Sequence, residues 1–245
     1  MSSMDVLILA AGYGTRLYPI TLDIPKALLQ IGDKYLIDFL IDKIAQSEGV
    51  KITVVTNEKF YNRFCGWAEK YSSLPIEILN DGTFKEEDRL GSVGDVEFAI
   101  KNKKFENDLL VLGSDNIFNW DFKGFLRFAK EINKPVAGLY DIGEISEAKR
   151  FGIASLDNQD KIIDFKEKPE KPESTLAGTC IYFFTAQSLK LFYEYSKIHK
   201  DKDTTGQYIS WLSKETDVYG YTFKGEWLDV GCKEALDKAE KIFGA

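Results

Sequence analysis

The N-terminal segment joins a buried strand to a glycine-rich turn. It reads VLILAAGYGTRLYPITLDIPKALLQIG, and the apolar run Val6–Ala10 has the length and composition of a buried strand. The run ends at a turn that contains Gly12 and Gly14, which leaves backbone N–H groups open where α/β folds bind ligands. Arg16 and Lys26 add positive charge near that turn. The segment therefore predicts a phosphate-binding site, which we interpret as a site for a nucleoside triphosphate.

The glycine turn matches neither of two well-known phosphate loops. A dinucleotide-binding fingerprint needs the pattern GxGxxG, but Leu17 stands where the third glycine belongs. A Walker A loop needs GxxxxGK followed by Ser or Thr, and the segment does not contain that pattern. By itself, the turn also fits a tight structural connection beside two surface cations. A nicotinamide-dependent oxidoreductase is disfavoured by the missing glycine.

Composition excludes several classes of function. The chain has 245 residues, enough to bury a large core, and its net charge of −7 argues against a nucleic-acid-binding surface. Its three cysteines, Cys65, Cys180 and Cys232, are too few and too widely spaced to predict a disulfide framework or a CxxC metal site. No signal peptide or apolar stretch of membrane-spanning length is recognisable. We therefore expect a cytoplasmic protein without nucleic-acid or membrane partners, and leave a homo-oligomer open.

The histidine content narrows the chemistry further. His199 is the only histidine, and it lies in a polar stretch that predicts a solvated loop. A Ser-His-Asp triad, a Cys-His protease and a histidine-based zinc site are therefore excluded. The chemistry has to come from carboxylates, lysine, arginine, the backbone and a hard metal ion.

Apolar periodicity predicts an α/β fold. Strands and helices alternate with short connections in the first part of the chain, which is typical of a parallel sheet covered by helices. Here a helix is predicted to begin at Asn57 and to run to Tyr71, and Ser92 is predicted to cap the helix that ends at Lys103. Beyond residue 140 the strands are shorter and predict antiparallel pairing. We expect a Rossmann-like three-layer α/β/α sandwich with a mixed, mostly parallel central sheet.

Several motifs closely resemble the signature of the sugar-1-phosphate nucleotidylyltransferases. The N-terminal segment matches the pattern LAxGxGTRLxPxT followed by PKxLL. Further matches follow in the family's order: Leu90-Gly91-Ser92, Gly113-Ser114-Asp115-Asn116, Phe151-Gly152, Glu167-Lys168-Pro169, Ala177-Gly178-Thr179 and Trp227-Leu228-Asp229-Val230-Gly231. The resemblance implies one nucleotidyltransferase domain over residues 1–245, with a nucleotide-binding half at 1–116 and a sugar-phosphate-binding half at 117–245. The chain ends soon after the last motif, which implies that the C-terminal β-helix of some relatives is missing.

The resemblance also implies the reaction. A nucleoside triphosphate and a sugar 1-phosphate would give a nucleoside diphosphate sugar and pyrophosphate. The nearest likeness is to glucose-1-phosphate thymidylyl- and uridylyltransferases, so we expect glucose 1-phosphate with dTTP or UTP. Cytidylyl- or guanylyltransfer to another phosphorylated small molecule, including phosphocholine, and a catalytically silent regulatory subunit are the alternatives. Residues 86–89 lengthen the loop before Leu90, which weakens any transfer of base specificity from relatives.

Site residues follow from the same resemblance. It implies that Arg16, Lys26 and Asp115 are catalytic and that Asp115 and Asp229 hold Mg²⁺, although each aspartate alone could be an ordinary turn residue. The residues implied in nucleotide binding are Leu9, Ala10, Ala11, Gly12, Gly14, Thr15, Arg16, Lys26, Asn80, Gly91 and Ser92. The residues implied in sugar-phosphate binding are Gly152, Glu167, Lys168 and Thr179. The tripeptide recurs at 170–172, and we assign the first copy to the site because it directly follows an apolar strand.

Overall fold

The computed structural model describes residues 4–47, 49–200 and 202–244. Its strands are β1 (Met4–Leu9), β2 (Gln30–Ile31), β3 (Lys34–Tyr35), β4 (Val50–Thr56), β5 (Ile76–Asn80), β6 (Leu109–Gly113), β7 (Asn116–Phe118), β8 (Val136–Asp141), β9 (Gly152–Leu156), β10 (Ile162–Glu167), β11 (Leu176–Phe184), β12 (Tyr219–Phe223) and β13 (Trp227–Asp229). Its helices are α1 (Leu36–Ile44), α2 (Tyr61–Ala68), α3 (Ser92–Lys103), α4 (Lys123–Ile132), α5 (Lys190–Ile198), α6 (Thr205–Glu215) and α7 (Lys233–Phe243). Among these described helices, none is long and apolar enough to cross a membrane.

These elements confirm the predicted fold class, a Rossmann-like α/β fold with a mixed, mostly parallel central sheet and flanking helices. Two compact units make up the chain. The first unit comprises residues 1–90, 112–119 and 225–245, and the second unit comprises residues 91–111 and 120–224. The chain therefore passes between the units several times. The predicted halves at 1–116 and 117–245 follow different boundaries and stay a prediction.

Three strands of the first unit run parallel in the order β1, β4, β5. β1 is buried along its whole length, which its apolar sequence requires. The register places Leu9 opposite Val55 and Thr56 opposite Asn80. Because parallel strands have their carboxyl ends at the same edge of a sheet, the glycine turn lies at the edge where β4 and β5 also end.

A separate two-stranded sheet in the first unit pairs β7 with β13 in antiparallel fashion. The register places Asp229 opposite Asn116, and it brings together residues from distant parts of the sequence. A buried apolar cluster involves these strands, α1 and α7: Ile31, Leu36, Ile117, Val230 and Ala239. The burial of this cluster stabilises the position of the β7–β13 pair.

In the second unit the strands pair in the order β10, β9, β11, β8, β12. Only the β8–β12 pair among these is parallel. A hairpin turn joins β9 to β10, and Asp157 Oδ1 accepts hydrogen bonds there from the Gln159 and Lys161 N–H groups at 2.8 and 3.0 Å. β11 has an irregularity near Cys180, whose φ is 55°, and this irregularity shifts its register with β8.

Two local predictions were wrong for the same physical reason. The helix expected to begin at Asn57 is α2, which begins only at Tyr61. Ser92 is not a helix cap, since Gly91 occupies the N-cap position of α3. In both places, a side chain that commonly caps a helix donates a tertiary hydrogen bond to a backbone carbonyl, and Asn57 also accepts one from the Phe60 N–H in the turn before α2.

Candidate active site

The turn after β1 exposes the backbone at Gly12. A Cβ at this position would meet no atom of the described residues within 4 Å. Gly14 has a left-handed φ of 64°, which favours glycine, and its carbonyl accepts hydrogen bonds from the Leu17 N–H and the Thr21 hydroxyl, both at 2.8 Å. The next residues form a 3-10 turn at Thr15–Leu17. The turn is therefore held in one shape and stays open beside Gly12.

Asn57 supports this turn, although the sequence analysis did not assign it to the site. Its fully buried side chain donates a hydrogen bond from Nδ2 to the Ala11 carbonyl at 2.8 Å. Its Oδ1 accepts one from the Phe60 N–H at 3.1 Å. The available sequence signal was a polar residue directly after a β-branched strand, and that signal is shared with ordinary helix caps. Asn57 thus connects the end of β4 to the glycine turn.

Lys26 and Asp115 form an ion pair at this edge. Lys26 Nζ lies 2.7 Å from Asp115 Oδ2, with the two side chains 15% and 32% exposed. Burial by itself would raise the pKa of Asp115, but the charge and hydrogen bond of Lys26, together with the charge of Arg16, hold that pKa below its ordinary value. Asp115 is therefore an ionised carboxylate at neutral pH, and the predicted catalytic lysine lies directly beside it.

Arg16 lies beside the second predicted aspartate. A Cβ on Gly231 would stand 3.3 Å from both Arg16 Nη2 and Asp229 Oδ1, so these two groups lie on the same side of Gly231. The Val230 N–H donates a hydrogen bond to the Asp115 carbonyl at 2.9 Å. The structure thus brings together four residues of the first unit that the sequence predicted for the site: Arg16, Lys26, Asp115 and Asp229.

The donor set is compatible with a hard divalent cation. Within the described residues, no three or more side chains of His, Cys, Asp or Glu come together as a metal cage. The chain would therefore supply the carboxylates of Asp115 and Asp229, and phosphate oxygens and water would complete the coordination. Mg²⁺ is commonly bound in this way, with few protein ligands and several waters.

Two further nucleotide-binding candidates in the first unit already have protein partners. The Asn80 side chain donates to Glu58 Oε2 at 2.5 Å and accepts from the Gly82 N–H at 2.9 Å. The Thr15 hydroxyl donates to Glu86 Oε1 at 3.1 Å, so the acidic loop at 86–89 contacts the glycine turn. A phosphate that uses the Thr15 hydroxyl would have to displace the Glu86 carboxylate.

The remaining nucleotide-binding candidates, Gly91 and Ser92, belong to the second unit. Both the N–H and the hydroxyl of Ser92 donate to the Asp203 carbonyl, at 3.0 and 2.8 Å. Gly91 has a φ of 77°, and a Cβ there would overlap the backbone of Lys202 and Asp203. These residues therefore hold the segment before α6 against the start of α3.

Glu167 ends β10 in the second unit, opposite Gly152 of β9. Its side chain is 20% exposed, and burial raises its pKa, an effect that Lys168 opposes and Asp203 adds to. Lys168 has a left-handed φ of 46°, and its Nζ lies 3.7 Å from Glu167 Oε1. The carboxylate is thus partly desolvated, and the ammonium beside it is 59% exposed to solvent.

The other sugar-phosphate candidates differ in what they offer. Thr179 is 1% exposed, and its hydroxyl donates to the Gly138 carbonyl at 2.9 Å. This hydrogen bond joins β11 to β8. The second copy of the tripeptide, at 170–172, lies outside the strands in the connection between β10 and β11. Of the two copies, only Glu167-Lys168-Pro169 is attached to the end of a strand.

An α/β fold that gathers cations and carboxylates beside an open glycine turn belongs among the phosphate-handling proteins. The particular family comes from the sequence comparison, in which the model described as "Nucleotidyl transferase" matches residues 5–243. The chain belongs to the nucleotidyl transferase family. The family predicted from the motifs is thereby confirmed.

Two curated relatives are glucose-1-phosphate adenylyltransferases, from Clostridium novyi (strain NT) and Fervidobacterium nodosum. Each is 33% identical to this chain, over 96% and 94% of its length. The chain spans only 65% and 59% of those relatives. The relatives therefore share a region with this chain and extend beyond it.

Solved structures agree on the fold. A Bacillus anthracis protein named as a glucose-1-phosphate thymidylyltransferase, solved with sucrose, superposes with a TM-score of 0.85 at 23% identity and covers 99% of this chain and 96% of its own. A UDP-glucose pyrophosphorylase with UDP-glucose superposes with a TM-score of 0.82 at 21% identity, covering 99% and 98%. At these identities the likeness shows the fold alone.

The role of Asn57 can be measured by substitution. Asn57→Ala leaves the buried Ala11 carbonyl without its side-chain donor, so we expect the free energy of unfolding to fall by about 1–3 kcal/mol. Urea titration monitored by circular dichroism measures this change. Asn102→Ala is the control, because Asn102 also donates to a carbonyl, that of Phe98, but on the exposed surface of α3. Equal losses in both variants would contradict the role assigned to Asn57.

Proposed function

We propose that this chain transfers a nucleotidyl group from a nucleoside triphosphate to glucose 1-phosphate, which produces a nucleoside diphosphate glucose and pyrophosphate. The observation that carries the proposal is the gathering of Arg16, Lys26, Asp115 and Asp229 beside the open glycine turn, in a member of the nucleotidyl transferase family. We choose glucose 1-phosphate as the acceptor because both curated relatives are named as glucose-1-phosphate adenylyltransferases.

The proposed reaction is an in-line displacement at phosphorus. A phosphate oxygen of glucose 1-phosphate attacks the α-phosphorus, the new P–O bond forms, and the bond to the β-phosphate oxygen breaks as pyrophosphate leaves. The attacking phosphate is mostly ionised at neutral pH, so no general base is required.

Charge neutralisation is the task of the first unit in this proposal. Lys26 neutralises the triphosphate near the α-phosphate, and Arg16 stabilises the charge that develops on the leaving pyrophosphate. The ion pair of Lys26 with Asp115 keeps the lysine in place before the nucleotide binds. When the nucleotide binds, Lys26 exchanges a carboxylate oxygen for a phosphate oxygen, so the ammonium keeps an anionic partner throughout.

A divalent metal ion is general in this family, and we propose Mg²⁺ with Asp115 and Asp229 as its protein ligands. Bound there, Mg²⁺ would offset the negative charge of the reacting phosphates. The low pKa of Asp115 keeps that carboxylate deprotonated and available as a ligand at neutral pH. In the second unit, Lys168 orients the phosphate of glucose 1-phosphate, and Glu167 accepts a hydrogen bond from a sugar hydroxyl.

This proposal does not assign a single nucleobase to the nucleotide substrate. The motifs led us to expect dTTP or UTP, whereas the 33% identical relatives are named as adenylyltransferases. The side chain of Asn80, implied in base recognition, is bonded to Glu58 and Gly82. The acidic loop at 86–89 also differs from the motif. We therefore include ATP as a third candidate beside dTTP and UTP.

A substrate panel tests the reaction. Pyrophosphate release is measured with ATP, UTP, dTTP, CTP or GTP against glucose 1-phosphate, several other sugar 1-phosphates and phosphocholine, in the presence of Mg²⁺. We expect release with glucose 1-phosphate and one of the first three nucleotides. Release only with CTP or GTP would support the alternative substrates. Absence of release in every well would reject the enzyme and favour the silent regulatory subunit.

Two variants test the charged residues. Arg16→Ala should lower kcat on the order of 10²-fold or more, because it removes a positive charge that stabilises the transition state. Asp115→Asn should lower kcat by a similar factor, because it removes an anionic ligand proposed for Mg²⁺. Arg16 is exposed, so the far-UV circular dichroism spectrum of the Arg16→Ala variant should match that of the native protein. Arg63→Ala, on the exposed surface of α2, is the control for loss of an arginine charge. Native turnover in either site variant would overturn the mechanism.

The two tripeptide copies provide a matched pair of variants. Lys168→Ala should raise the KM for glucose 1-phosphate by about tenfold or more while the KM for the nucleotide stays the same, because a charge-assisted hydrogen bond to phosphate is lost. Lys171→Ala, in the exposed second copy, should change neither constant. The reverse result would move the sugar-phosphate site to residues 170–172.

A further inference from the structure

The carboxylate of Glu167 fills a narrow slot between two glycines that come from different elements of the second unit. Gly152 begins β9, and Gly206 lies in the first turn of α6, which packs against β10. The ring of Phe165 forms the third side of the slot, and it is 1% exposed. No motif of the sequence pointed to Gly206.

With the Glu167 carboxylate in its observed position, neither glycine has room for a side chain. A Cβ on Gly152 would lie 2.9 Å from Glu167 Oε2 and 2.6 Å from the Phe165 ring. A Cβ on Gly206 would overlap Glu167 Oε2 and stand 2.9 Å from Glu167 Cδ. Neither glycine has a positive φ. At Gly152 the buried Phe165 ring leaves no space for a side chain, whereas a methyl group at Gly206 would require the Glu167 carboxylate to move.

Glycine inside a helix is otherwise unfavourable. It costs roughly 1 kcal/mol relative to alanine, because the unfolded chain loses more conformational freedom. Gly66 of α2 shows the ordinary situation, since a Cβ there would meet no described atom within 4 Å. At Gly206 the missing methyl group is the volume that the Glu167 carboxylate occupies. A methyl group would therefore fit at Gly66, whereas at Gly206 it would collide with the Glu167 carboxylate.

We propose that Gly206 is a positioning residue for Glu167. Because residue 206 has no side chain, the Glu167 carboxylate can lie in the position from which it faces a sugar hydroxyl. This inference rests on the proposed function, because Glu167 has to be the residue that accepts the hydroxyl. Gly206 itself needs no contact with the sugar. A carboxylate already held by its surroundings loses little conformational freedom when the substrate binds, and that favours affinity.

Kinetics of Gly206→Ala provide the first test. The added methyl group displaces the carboxylate, so the KM for glucose 1-phosphate should rise by about tenfold, the effect of a lost hydrogen bond to a charged group. The KM for the nucleotide should stay unchanged. Gly66→Ala is the matched control and should leave both constants unchanged. If Gly206 acts through Glu167, adding Gly206→Ala to Glu167→Ala should raise the KM no further.

Thermal unfolding tests the same contact without any substrate. Gly206→Ala should lower Tm in the native background, where the methyl group collides with Glu167. In the Glu167→Ala background it should raise Tm instead, because the slot is empty and alanine favours the helix. Gly66→Ala should raise Tm by the same amount in both backgrounds. This reversal of sign distinguishes a collision with Glu167 from general damage to α6.

The outcomes separate this inference from the proposed function. A panel without any pyrophosphate release would reject the proposed function and the substrate role of Gly206, while the thermal measurements would still report the slot. An active native enzyme with an unchanged KM in Gly206→Ala would overturn the positioning role alone. Additive effects of Gly206→Ala and Glu167→Ala on the KM would do the same. The positioning role would be supported if Gly206→Ala raised the KM in the native background but not in the Glu167→Ala background, and if its effect on Tm reversed as described.

Discussion

The end of β1 has backbone groups that must find hydrogen-bond partners, and the arrangement of the first unit depends on how they do so. The Leu9 carbonyl accepts from the Ser114 N–H at 3.2 Å, and the Ala10 N–H donates to the Val55 carbonyl at 2.9 Å. The Ala11 carbonyl is satisfied by Asn57. An unpaired backbone group at a buried position costs about as much as a lost hydrogen bond, so these contacts are required. The contact with Ser114 brings Asp115 to the glycine turn.

Charge then determines how the assembled residues can coexist. Asp115 and Asp229 would be unfavourable neighbours without cations, and Lys26 and Arg16 lie beside them. The proximity of Lys26 outweighs the cost of burying the Asp115 carboxylate, which therefore has a lowered pKa. A chain with a net charge of −7 can still hold positive groups beside the glycine turn, because Arg16 and Lys26 both lie there.

In the second unit, the position of the Glu167 carboxylate depends on vacant space as well as on the nearby charge of Lys168. Glu167 is partly desolvated, and the cost is visible in its raised pKa. Its carboxylate is accommodated because neither Gly152 nor Gly206 has a side chain. The Asp203 carbonyl, bonded to Ser92, holds the segment that leads into α6 and hence the position of Gly206. The orientation of Glu167 is thus set by elements far from it in the sequence.

The amino-acid sequence by itself determined the elements whose signals are local. A continuous apolar run followed by glycines predicted β1 and its turn, and the motifs predicted the family that the comparison confirmed. The tertiary structure alone decided which partners the polar side chains have. Asn57 and Ser92 have the sequence signature of helix caps, yet both bond to backbone carbonyls of distant segments. The pairing of Asp115 with Lys26 and the slot at Gly206 likewise depend on contacts between residues far apart in the chain. A local pattern can indicate a strand or a turn, whereas a hydrogen bond or a vacant volume exists only once separate elements have packed together.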